Sequence, residues 1–104
     1  MNNRRYKRII AGYKAEITYH DECYFGVIEN LSETGVNILT DLLETSIDFQ
    51  AGESISLKVD IPAGSPLMLK CTIKWAQTIQ PHNLRHRIGL EIIDPPWDKN
   101  SYFL

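Results

Sequence analysis

Tyr13, Ala15, Ile17 and Tyr19 alternate with Lys14, Glu16 and Thr18, the period of two that marks a strand with one buried face. The same rhythm returns at Ile55, Leu57, Val59 and Ile61, and again at Leu67, Leu69, Cys71, Ile73 and Trp75. Residues 23–31, with their aromatic and β-branched side chains, predict a further strand, and 36–40 and 87–93 complete the set. Polar or ring-constrained stretches punctuate these runs: His20-Asp21-Glu22, Ser32-Glu33-Thr34-Gly35, Pro62-Ala63-Gly64-Ser65-Pro66 and residues 81–86. In residues 41–50, Leu42 and Leu43 could begin a helical turn, but Thr45, Ser46 and Ile47 weaken it. A loop with at most one short turn is expected there. Six antiparallel strands without a long helix predict an all-β barrel or sandwich, and closure into a barrel removes exposed edges.

The length of 104 residues suits one domain. Apolar residues make up 43% and charged residues 23%, a balance that excludes a disordered chain. No run approaches the roughly 20 apolar residues that span a bilayer. The basic start is followed by no apolar segment of the secretory kind, so a cytoplasmic location without membrane insertion is expected. Cys23 and Cys71 each lie in an apolar run and read as two reduced core thiols, with no spacing that suggests zinc.

Charge changes the picture more than composition does. The net charge is −2, yet Arg4-Arg5-Tyr6-Lys7-Arg8 holds four of the 11 basic residues and no acid. The rest of the chain keeps 7 basic against 13 acidic residues, or −6. A short cationic arm on an acidic body suits a compact polyanion better than a long polynucleotide track.

Arg4-xxx-Arg8 ahead of an apolar strand, then Asn30-Leu31-Ser32-Glu33-Thr34-Gly35, resembles the paired RxxxR and (D/N)xSxxG motifs of the PilZ domain family. Gly52-Glu53-x-Ile55-x-Leu57, Ile73-Lys74-Trp75 and Arg87-Ile88-Gly89-Leu90-Glu91-Ile92 match further, so the likeness covers about residues 4–94. Either motif alone is common by chance; both together, 22 residues apart in an all-β chain, are far more specific. The resemblance implies a six-stranded antiparallel β-barrel of PilZ type that binds the bacterial second messenger cyclic di-GMP. Its ligand residues would be Arg4, Arg5, Arg8, Asn30, Ser32 and Gly35. The layout expected is a basic arm over 1–8, a barrel over 9–94 and a tail over 95–104, the arm mobile without ligand and ordered with it.

The chemistry suits that ligand. A guanidinium meets the O6 and N7 acceptors of guanine, stacks on a purine and forks onto phosphate, where lysine is only a point charge. Asn30 and Ser32, two residues apart, project from one face of a strand, and an amide carbonyl can accept from guanine N–H groups. Blander readings stand beside these. The arm alone would be a solvated tail, and Ser32 to Gly35 a plain turn under either reading. Trp75 shares a predicted face with Cys71 and Ile73, which favours core packing over stacking on a ligand. His20, His82 and His86 fall in predicted loops and are expected exposed. Arg85 and Arg87 either add charge to the site or cap the last strand.

Three functions compete. The first is a cyclic di-GMP sensor that signals to an unidentified protein effector and needs no cofactor. The second is a ligand-blind adaptor of the same fold, opposed by the intact motif residues. The third is a single-stranded nucleic-acid binder stacking bases on Tyr6, Tyr13 and Tyr19, opposed by the acidic body. No nucleophile–base pair, metal cluster or phosphate-cradling glycine loop can be assembled, so no enzyme is expected.

Overall fold

In this computed structural model, residues 12–61 and 64–93 are described. Six strands form: β1 (Lys14–Tyr19), β2 (Glu22–Leu31), β3 (Gly35–Thr40), β4 (Ser54–Val59), β5 (Leu67–Ile79) and β6 (Arg85–Ile93). They close into the expected barrel in the order β1-β2-β3-β6-β5-β4, with every neighbouring pair antiparallel. β1 and β2 join through a two-residue turn in which His20 (φ 52°) and Asp21 (φ 65°) both take positive φ, the hairpin geometry that follows strand twist.

The alternation delivers the core directly. Ile17, Ile28, Leu31, Ile38, Leu57, Val59 and Ile88 point inward with 1% or less of their surface exposed. Each such side chain contributes roughly 1.5–3 kcal/mol by leaving water. Residues 41–50 form no strand or helix, as expected, but they are not peripheral. Phe49 enters the core from this loop, packing on Tyr19 (centroids 4.9 Å apart) and edge-on to Tyr24 and His86.

Three expectations fail, each for a local reason. His86 is not in an exposed loop. β6 starts at Arg85, so His86 joins Ile88, Leu90 and Ile92 on the inward face, 1% exposed. Its Nε2 accepts from the Ile47 N–H at 3.3 Å, and burial pushes its pKa down. Cys23 is not a core thiol. It sits opposite Thr18 on the outer face, where its S–H donates to Glu16 Oε2 at 2.8 Å, which raises its pKa. Cys71 is buried as expected. Trp75 leaves the face of Cys71 and Ile73 because a bulge falls between Ile73 and Trp75, and the indole is 41% exposed. Among the described residues, no helix is long and apolar enough to cross a membrane, and no group of three His, Cys, Asp or Glu could hold a metal ion.

Candidate functional site

Two strands break the period of two. In β2 the register shifts between Ile28 and Asn30, leaving Glu29 as the extra residue; in β5 it shifts between Ile73 and Trp75, leaving Lys74. A bulge lets consecutive residues face the same side, so a side chain due inward is turned outward. Asn30 and Trp75 are both turned outward this way.

The two bulges lie at opposite ends of one exterior row. Asn30 pairs with Asn37, Asn37 with Gly89, and Gly89 with Trp75, across β2, β3, β6 and β5. Gly89 is on the outer face but buried, because the indole lies over it. A Cβ built there would fall 2.2 Å from Trp75 Nε1. The row therefore presents two amides and a flat aromatic ring, with no formal charge of its own.

Beyond Asn30 the chain buries Leu31 and exposes Ser32, so Asn30 and Ser32 are both accessible. The turn between β2 and β3 is closed by Ser32 N–H donating to the Gly35 carbonyl at 2.9 Å. The Ser32 hydroxyl donates weakly to the same carbonyl at 3.3 Å and accepts the Gly35 N–H at 3.2 Å. Gly35 does not take positive φ; the glycines that do are Gly12, Gly52 and Gly64 among the described residues. What a side chain at Gly35 would crowd is the Leu90 carbonyl, 3.2 Å from an added Cβ.

Arg87 neither adds free charge nor caps the strand. Its Nε and Nη2 donate to Glu29 Oε1 and Oε2 at 2.8 and 2.9 Å, a bidentate pair that ties β6 to the bulge residue of β2. The guanidinium beside Glu29 holds that carboxyl below the usual range. Arg85 donates through Nε to the Thr40 carbonyl at 3.2 Å and so caps the end of β3.

Arg4, Arg5 and Arg8 lie outside the described residues, but the point from which they extend does not. Gly12 N–H donates to the Ile28 carbonyl at 2.7 Å, and Ile28 N–H to the Tyr13 carbonyl at 2.8 Å. The chain thus enters the barrel two residues along β2 from Asn30. Four residues upstream of Gly12, the Arg8 Cα can stand at most about 14 Å away. Sequence reasoning missed Asn37 and Gly89. Gly89 did carry a signal, since an isolated glycine inside a strand marks a close approach; Asn37 carried none before its register was known.

Residues 2–100 match the family described as PilZ domain. Solved structures similar to this chain include the Bacillus subtilis inhibitor of motility MotI/DgrA, at 17% identity and TM-score 0.66, covering 98% of this chain and 48% of that one. The PilZ domain of Escherichia coli YcgR, solved with c-di-GMP, matches at 14% identity and TM-score 0.65, covering 96% and 86%. Borreliella burgdorferi PlzA, solved in complex with c-di-GMP, matches at 18% identity and TM-score 0.54, covering 86% and 40%. At these identities the likeness is one of fold, and the chain spans about half the length of the first of these proteins. No curated protein matches it in sequence.

Proposed function

The chain belongs to the PilZ domain family, and from that premise we propose that it is a cyclic di-GMP-binding module, not an enzyme, acting in the cytoplasm. The observation that carries this reading is the placement of the arm's root. Gly12 is bonded to Ile28, beside Asn30 and the Ser32–Gly35 turn, so the segment that carries the arginine motif joins the barrel next to the second motif.

Roles follow from what each group can do. The row carries no charge and the nearby Arg87 is committed to Glu29, so the ligand's phosphates fall to Arg4, Arg5 and Arg8. Asn30 accepts guanine N–H groups through its amide oxygen, and Ser32 exchanges its weak internal bonds for one to the ligand. Gly35 keeps the turn close against β6. Trp75, turned outward by its bulge, offers a ring on which a purine or an arginine can stack.

Binding pins the arm against the barrel and thereby alters the surface offered to a protein effector, an order–disorder step of the kind small ligands commonly drive. Calorimetric titration with cyclic di-GMP tests the reading: a dissociation constant in the micromolar range or tighter is expected, about −8 kcal/mol or better. No heat at millimolar ligand would reject it and leave the ligand-blind adaptor. Amide order parameters for residues 4–9, with and without ligand, test the ordering step separately.

A further inference from the structure

Phe25 and Leu42, 56% and 68% exposed, are two of the five large apolar side chains that stand out among the described residues, with Met68, Trp75 and Ile93. Their strands of backbone are joined, since the Asp41 N–H donates to the Phe25 carbonyl at 2.8 Å. Beside them lies a groove of about 520 Å³ with apolar walls from Tyr24, Phe25, Leu42, Leu43 and Ile47. Its rim carries Glu22, Asp41 and Glu44, and no Lys or Arg is found among the described residues that line it.

Slackness does not explain the exposed leucine, because the loop is pinned along its length. Leu43 N–H donates to the Leu84 carbonyl at 2.8 Å, and Ile47 N–H to His86 Nε2 at 3.3 Å. Phe49 is buried, and Gln50 N–H donates to the Tyr19 hydroxyl at 3.1 Å. The groove is therefore held open in one shape, and a partner would meet it without the usual cost of ordering a loop. A second cleft of about 380 Å³, also walled by Phe25, makes the contrast in charge. There Lys14 and Lys58 stand among Glu16, Asp41 and Asp60, so two of the three negative charges are matched. Of these two clefts, the one on the Leu42 side has a rim of one sign among the described residues, which favours a cation beside an inserted aliphatic group.

We infer that the groove between Phe25 and Leu42 docks a segment of another protein carrying large aliphatic side chains flanked by lysine or arginine. This goes beyond the nucleotide-binding reading and does not depend on it. The probe is a peptide with two leucines flanked on each side by two lysines, titrated into the isotope-labelled full chain. Its twins carry glutamate for lysine, or serine for leucine. Shifts should centre on the amides of Phe25, Leu42, Leu43 and Ile47, and the parent peptide should bind at least about tenfold tighter than either twin. Phe25→Ser and Leu42→Ser should each weaken it by about tenfold, with unchanged melting temperature because both side chains are exposed. Glu44→Lys should weaken it by roughly two- to fivefold.

Equal binding by the glutamate twin, shifts away from the groove, or full affinity in both serine variants would overturn the inference. Dimerisation that Leu42→Ser abolishes would assign the groove to a second copy. Peptide affinity that rises when Arg4, Arg5, Lys7 and Arg8 become alanine would assign it to the chain's own arm. Either result also overturns the inference. The serine variants should bind cyclic di-GMP as the parent does, so a failure here is distinct from a failure of the nucleotide reading.

Discussion

One side of the barrel is regular and the other is broken twice. β4 alternates buried and exposed without interruption, and its ladders with β1 and with the first half of β5 run without a register shift. Its outward residues are Ser54, Ser56 and Lys58, which ask only for water. The wall made from the end of β2, β3, β6 and the second half of β5 carries both bulges, and its outward row is Asn30, Asn37, Gly89 and Trp75. A bulge forfeits ladder hydrogen bonds, and strands retain one where re-aiming a side chain matters. The regular wall is thus where the sequence builds stability, and the bulged wall is where we place recognition.

The largest effect should come from the regular wall. Leu57→Ala removes a side chain that is 1% exposed and should cost about 2–5 kcal/mol of stability, read from denaturant unfolding. Cyclic di-GMP affinity of the folded fraction should not change; a matching loss of affinity would break the division between the walls. The arm should behave in the opposite way. Arg4→Ala and Arg8→Ala should each weaken binding by about 1.5–3 kcal/mol, with melting temperature nearly unmoved. Arg8→Lys should also bind worse, because the fork and the stacking plane are lost. Equal affinity for Arg8→Lys would mean that charge alone matters there.

Smaller changes sharpen the bulged wall itself. Asn30→Ala and Ser32→Ala should each reduce affinity by about 0.5–1.5 kcal/mol and leave the fold intact, while Asn30→Asp keeps or improves binding. Gly89→Ala should lift the indole off β6, since the added Cβ occupies its place, and the Trp75 indole N–H resonance should move. If Trp75 serves as a platform, affinity falls with it; an indole that moves without loss of affinity would confine Trp75 to covering the strand.

The smallest expected effect is a pH dependence, and it also separates the two sides. Burial lowers the His86 pKa, so as pH falls below the ordinary value of about 6.5 the unfolded chain takes a proton there first and stability declines. Glu29, held low mainly by its hydrogen bond from Arg87, adds stability above the ordinary carboxylate range that is lost as pH falls through it. At the other extreme, burial pushes the Cys71 thiol up to about 12, so stability should fall as pH rises past the ordinary thiol range. His86→Gln, whose amide can still accept the Ile47 N–H, should flatten the profile between about pH 7 and 5. An unchanged slope would remove His86 from this account.

How much of this was legible in the sequence follows the same division. The regular wall was readable because a strict period of two needs no outside information, and residues such as Ile55, Leu57 and Val59 could take only one orientation. The turn motif was readable as residue types at a spacing; the arm lies outside the described residues. The bulges were not, because one extra residue in a strand leaves no mark until its partner strand is known. Trp75 was placed in the core for that reason alone. His86 was misplaced by a strand start two residues late. Cys23 was misplaced because an apolar neighbourhood in sequence, Tyr24 and Phe25, alternates across the sheet in space. Phe49 went unassigned since nothing in a loop's composition shows that it packs back against Tyr19, Tyr24 and His86.

Chemical-shift mapping with cyclic di-GMP asks directly whether the ligand lies on the bulged wall. Backbone amide, Asn side-chain and Trp indole resonances of the full chain would be followed to saturation. Shifts should concentrate on Asn30, Ser32, Gly35, Asn37, Gly89 and the Trp75 indole, together with the arm, while Ser56, Lys58 and Lys70 on the regular wall stay still. Saturable binding that instead perturbs the β1–β4 wall, and leaves the row between the two bulges untouched, would contradict it.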